Sequence, residues 1–297
     1  MKRSYLATVV LVLSFGASAL ASSAGPAIPA DEAMNLLKEG NARYAAGQST
    51  HPNLGSDRRA ETVKNGQHPF ATIIGCSDSR EPLEHIFDQG VGDIFVIRVA
   101  GNVAGPDELA SIEYGVGHLN TPVMLVLGHT SCGAVTAAVQ NAKVHGNLPF
   151  LINQIKPAVA KARSWNPTAS GDDLVATSIK ANVYLTMENM FRKSSEVREL
   201  VKKGKLLVVG GIYDLHSGQV KWLGAHPDQG KLLVAAVKPH APAKPKHAPA
   251  PAAAEPAASA KAEAADQGSM IDPAPAAHSA PAPAPAAHPA PAAPAHQ

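Results

Sequence analysis

The chain has 297 residues, 45% of them apolar and 17% charged, enough to bury a sizeable core in one large domain or two small ones. A formal net charge of +2, with no Lys/Arg stripe, excludes a dedicated nucleic-acid binder, and two cysteines exclude a disulfide-rich scaffold. Proline is unevenly spread: 14 of the 25 lie after Lys238.

Residues 1–21 read as a secretory signal. Lys2 and Arg3 supply a positive start, residues 6–20 are apolar with small residues, and Ala19-Leu20-Ala21 offers a cleavage site. A membrane span needs about 20 apolar residues, and Ser14, Gly16 and Ser18 interrupt this stretch. The expectation is export to a periplasm or the medium, with no stable membrane insertion. The folded unit is then residues 22–238.

That unit opens on a helical arm. Asp31 is placed to cap it, and Met34, Leu36 and Leu37 recur near helical spacing. Short apolar runs follow at 70–75, 94–99, 122–128 and 205–213, each bounded by Gly or Pro. Continuous runs of strand length suit strands buried on both faces, as in a parallel sheet. Helical segments lie between them: one opened by Pro106 and running to about residue 119, a long one over 172–193, and another after Ser195. Residues 220–222 suit an antiparallel edge strand. The fold class is α/β, with a mainly parallel central sheet flanked by helices and right-handed crossovers. Residues 239–297 collapse to Ala and Pro with five scattered histidines. Such a composition cannot offset its ordering entropy, so it reads as an extended spacer.

Open parallel sheets place ligands beyond the carboxyl ends of their strands. Two of the apolar runs end in polar clusters, Cys76-Ser77-Asp78-Ser79-Arg80 and Gly128-His129-Thr130-Ser131-Cys132-Gly133. Two thiols and an imidazole match a catalytic Zn²⁺ ligand set that leaves one position open. A structural zinc closed by Asp78, and a Cys76–Cys132 disulfide in an oxidising compartment, are the competing readings.

The two motifs together, with Arg80 and Cys132 52 positions apart, resemble the β-class carbonic anhydrases over about residues 31–220. The resemblance implies a mainly parallel sheet in an intertwined dimer. It implies one Zn²⁺ per chain on Cys76, His129 and Cys132, with Asp78 and Arg80 as a catalytic pair. Asp78 would be either clamped by Arg80 or, if released, a fourth zinc ligand. Gln67, in Gly-Gln-His-Pro, resembles the glutamine that reaches across the dimer to substrate in the plant-like branch. Phe95 and Tyr114 match walls of the substrate pocket, and the Gly133 N–H matches a donor to the substrate oxygen. The implied activity is reversible hydration of CO₂ to bicarbonate by zinc-bound hydroxide, in a homodimer or dimer-based tetramer. Hydrolysis of carbonyl sulfide or carbon disulfide on the same site, and a non-catalytic zinc-binding envelope protein, are the alternatives. Two departures stand out: Ala100 replaces a bulkier wall residue, and Ile73 stands where members with an inhibitory bicarbonate site carry Trp. His85, His118 and His145 read as surface or helix-end residues, Met187 and Met190 as core, and Trp165 and Trp222 as packing anchors.

Overall fold

The computed structural model describes residues 28–234. The secretory signal, the tail from residue 239 and the tail histidines therefore lie outside the described residues. The strands are β1 Ala71–Gly75, β2 Ile94–Arg98, β3 Val123–His129, β4 Leu207–Tyr213 and β5 Val220–Gly224. They form one sheet in the order β2-β1-β3-β4-β5. β1 to β4 run parallel and β5 returns antiparallel on β4. The mainly parallel α/β sheet and its antiparallel edge strand are thus both found.

The helices are α1 Ala30–Ala45, α2 Ser56–Asn65, α3 Leu83–Ile86, α4 Pro106–Glu113, α5 Gly133–Val139, α6 Leu148–Trp165, α7 Gly171–Lys193, α8 Ser195–Lys202 and α9 Gln229–Val234. They cover both faces of the sheet, which is why the strand sequences are continuously apolar. Ile73, Leu125 and Leu127 face Ala33 and Leu37 of α1 and Leu83 and Phe87 around α3. The alternate residues Ile74, Met124, Val126 and Val208 face Ile112 of α4 and Val183, Met187, Met190 and Phe191 of α7. Each such side chain contributes about 1.5–3 kcal/mol on full burial. Met187 and Met190 are core residues, as expected.

Three local expectations need correction. Pro29, not Asp31, is the N-cap of α1; Asp31 lies in the first turn, where its charge suits the helix dipole. The helix opened by Pro106 stops at Glu113 and continues as a wider π-type turn, Tyr114–His118. Gly115 in this turn lets the chain pack closely on β1, since a Cβ there would lie 2.3 Å from Thr72 Oγ1. Trp165 is exposed at the end of α6, edging against Tyr184 and lying under Lys161 Nζ at 5.8 Å, whereas Trp222 is half-buried beside Phe87.

Topology then sets the site. β1 and β3 are neighbours with Ile74 level with Val126. Extending that register by two residues sets Cys76 level with Gly128, next to His129. The two motifs therefore leave the same edge of the sheet side by side.

Candidate metal centre

After Gly75 the chain leaves β1 and turns over Cys76–Arg80. Arg98, at the end of β2, braces this turn: Nε donates to the Cys76 carbonyl at 2.8 Å and Nη2 to the Asp78 carbonyl at 2.6 Å. Inside the turn Arg80 clamps Asp78 in a fork, Nε to Oδ1 at 2.9 Å and Nη2 to Oδ2 at 2.8 Å. The Arg80 backbone N–H adds a third bond to Oδ1 at 3.0 Å. The guanidinium is the main cause holding the Asp78 carboxyl well below the usual carboxylate range.

β3 ends on His129. Its Nδ1–H donates to the Thr130 carbonyl at 2.9 Å, which fixes the tautomer and leaves Nε2 as the free lone pair. Ser131 takes a φ of 56°, and this left-handed residue swings the chain back so that Cys132 caps α5. Thr130 holds the turn from behind by accepting the Leu215 N–H at 2.9 Å.

The result is a cluster in which one ligand atom each from Cys76, His129 and Cys132 lies within 4.8 Å of the other two. All three residues are buried, both thiols are free, and no bridge joins them. Nε2 of His129 is buried with no hydrogen-bond partner among the described residues. Bonds of about 2.3 Å to each sulfur would set two sulfurs about 3.8 Å apart on a tetrahedral zinc, which lies within the 4.8 Å limit on the present separations. The donor set therefore fits Zn²⁺ with a fourth position open. The two thiols are coupled: the neighbouring Cys132 holds the Cys76 thiol well below its ordinary value, and Cys132 is itself pushed up. The Gly101 N–H also donates to Cys76 Sγ, at 3.2 Å.

Asp78 lies beside this cluster, with Oδ2 3.8 Å from His129 Nε2. Of the two arrangements the sequence allows, the structure has the clamped one, with the carboxylate on Arg80. Gly133 opens α5, and a Cβ there would meet nothing within 4 Å, so the space around its backbone is open.

Gln67, Phe95 and Tyr114 are not brought to the cluster within one chain. Phe95 is level with Thr72 on β1, four residues before Cys76, or about 13 Å along a strand. Tyr114 packs its ring 5.9 Å from Phe95 and is 45% exposed, and Gln67 is exposed in the loop before β1. All three belong to the amino end of β1, because a parallel sheet sends its strand starts and strand ends to opposite edges. Sequence reasoning passed over two further residues. Arg98 is one. The other is Glu81, fully buried, whose Oε2 accepts the Cys76 N–H at 2.6 Å and whose Oε1 has no partner among the described residues. Burial pushes its carboxyl up to about 8. A charged residue directly after Arg80 was the available signal.

Fold and site together define an α/β protein with a buried Cys–His–Cys centre at the carboxyl edge of a parallel sheet. The family model described as "Carbonic anhydrase" matches residues 71–220. Carbonic anhydrase 2 of Mycobacterium tuberculosis is 41% identical over 192 residues, 63% of this chain and 89% of its own length. The carbonic anhydrase of Mycolicibacterium smegmatis is 37% identical over 205 residues, 67% of this chain and 96% of its own. Among solved structures, a β-carbonic anhydrase of Aspergillus fumigatus superposes with a TM-score of 0.54 at 32% identity, over 68% of this chain and 94% of that one. A tetrameric β-carbonic anhydrase of Sordaria macrospora gives 0.52 at 27%, over 66% and 98%. The chain belongs to the carbonic anhydrase family, in its β class.

Proposed function

We propose that this chain catalyses the reversible hydration of CO₂ to bicarbonate and a proton, with Zn²⁺ held by Cys76, His129 and Cys132. The observation that carries the reading is the convergence of three buried ligand atoms within 4.8 Å, beside a carboxylate clamped by Arg80. A zinc ion held there acts as a Lewis acid that brings the pKa of water toward about 7.

The chain's own residues supply the rest. Arg80 keeps Asp78 ionised and oriented, so Oδ2 is free to accept a hydrogen bond from the O–H of the nucleophile. That contact aims the oxygen lone pair at the carbon of CO₂. The Gly133 N–H donates to a substrate oxygen, where charge develops as bicarbonate forms. Glu81 and Arg98 hold the Cys76 backbone from two sides, which keeps the sulfur in place. Gln67, Phe95 and Tyr114 come from a second copy of the chain, so the working unit is a homodimer or a multiple of it. The solved relative from Sordaria macrospora is described as tetrameric, which supports an assembly of this kind.

The organisation proposed is a signal at 1–21, a catalytic unit at 22–238 and a spacer at 239–297, with the enzyme periplasmic or secreted; the support is the composition of the two ends. Among the described residues no helix is long and apolar enough to cross a membrane. Removing zinc with a chelator abolishes CO₂ hydration on this reading, and adding zinc back restores it. Full activity in zinc-free protein contradicts it. Carbonyl sulfide and carbon disulfide are assayed on the same sample, and faster turnover of either would reassign the substrate.

A further inference from the structure

The turn between β2 and α4 carries unusual backbone next to the metal centre. Gly101 has φ of 70° and Asn102 φ of 42°, two consecutive residues in the left-handed region. This conformation aims the Gly101 N–H at Cys76 Sγ. Asn102 N–H closes the turn onto the Val99 carbonyl at 2.9 Å, but the carbonyls of the turn itself are held from elsewhere. Asn182 Nδ2 donates to Gly101 O at 2.7 Å, and Thr186 Oγ1 donates to Asn102 O at 3.0 Å. Residues four apart lie one above the other on a helix face, so α7 grips two successive carbonyls with two successive turns. α5 and α6 close the other side. A Cβ on Gly101 would lie 2.6 Å from Ile155 Cδ1 and 3.2 Å from Ala134 Cβ.

Packing alone does not account for these residues. Asn102, Asn182 and Thr186 are all buried. Asn102 Nδ2 and Asn182 Oδ1 have no hydrogen-bond partner among the described residues. Buried unpaired polar atoms are destabilising, and apolar side chains of the same size would avoid them. The amide orientation is forced, because turning Asn182 round would set its oxygen against the Gly101 carbonyl.

We infer that Asn182, aided by Thr186, is a positioning residue that holds the Gly101 amide on the Cys76 sulfur and so governs how firmly that sulfur grips the metal. An N–H donor fixes the direction of the sulfur lone pairs and draws off part of their charge. Groups of this kind, one bond removed from a ligand, tune metal sites as strongly as many ligands do. The inference rests on zinc binding at Cys76, His129 and Cys132.

The test uses the full zinc-loaded chain and reads zinc release into excess chelator, together with the sulfur-to-cobalt charge-transfer band of the Co²⁺-substituted protein. Asn182→Asp keeps the shape and removes the donor; Thr186→Val does the same for the hydroxyl and carries the test if the first variant does not fold. Val183→Ala, on the same helix but with no bond to the turn, controls for loss of stability. The expected result is release about 10-fold faster in Asn182→Asp, a smaller increase in Thr186→Val, a shifted cobalt band in both, and parent behaviour in Val183→Ala. Release at the parent rate in whichever of the two variants fold, or equal acceleration in Val183→Ala, overturns the inference while leaving the proposed function standing. A parent chain that takes up no zinc overturns the proposed function, and the inference falls with it.

Discussion

On the proposed function, Cys76 and Asp78 are two residues apart yet carry separable jobs, one holding the metal and the other orienting the reaction. Cys76→Ser removes a soft thiolate from a three-ligand site, so the purified variant is expected to contain almost no zinc. Asp78→Asn keeps the ligands, so zinc content should stay at the parent level while CO₂ hydration falls about 100-fold or more. Parent activity in Asp78→Asn would remove Asp78 from the mechanism. Asp88 shows the same chemistry used for stability. Its buried carboxylate accepts from Arg43 Nε at 2.6 Å, Thr50 Oγ1 at 2.9 Å and the His51 N–H at 2.9 Å. Burial opposes ionisation there, but these bonds outweigh it and hold the carboxyl below its ordinary value. The stabilisation is therefore complete above about pH 4 and lost as pH falls further. Asp88→Asn should lower stability at pH 7 by about 1–3 kcal/mol and flatten the acid limb of the melting profile; an unchanged acid limb would show that Asp88 does not set it.

At the scale of elements, α7 lies close on the sheet because β3 and β4 present glycine beneath it. A Cβ at Gly128 would lie 2.9 Å from Val183 Cγ2, and one at Gly210 would lie 2.8 Å from Val183 Cγ1. Gly128→Ala is thus expected to cost about 1–3 kcal/mol by overpacking. Thermal melting checks this, and a parent-like melt would show that the contact yields freely. What sequence made legible follows the same physics. The four parallel strands could be read because both faces are buried, which leaves an unbroken apolar run. α7 could be read because it is long. α6 escaped because Pro149 and Pro157 lie within it and read as breaks. α2 escaped because it buries no residue, so it has no apolar stripe to find. Within the site, Cys76, His129, Cys132, Asp78 and Arg80 announced themselves by motif. Arg98, Glu81 and the Gly101 amide did not, because their contacts run between strands or through backbone. Asn102 belongs to this loop, and its partners Asn182 and Thr186 stand 80 or more positions away.

At the scale of the whole molecule, one chain presents the ligands at one edge of its sheet and Gln67, Phe95 and Tyr114 at the other. The proposed dimer joins them across two copies. Co-expressing Cys76→Ser with Gln67→Ala chains makes mixed dimers with one complete site each. Random pairing then restores about a quarter of the parent activity, provided each variant alone is inactive. No recovery in verified mixed dimers would show that the site does not draw on both copies. The claim on which all of this stands is a catalytic zinc on two free thiols and an imidazole. Zinc content, free-thiol content and stopped-flow CO₂ hydration, measured on one sample, test it together. The expected result is about one zinc per chain and turnover that rises in proportion to zinc. A Cys76–Cys132 bridge in active protein, or fully zinc-loaded assembled protein that leaves CO₂ unhydrated, would contradict it.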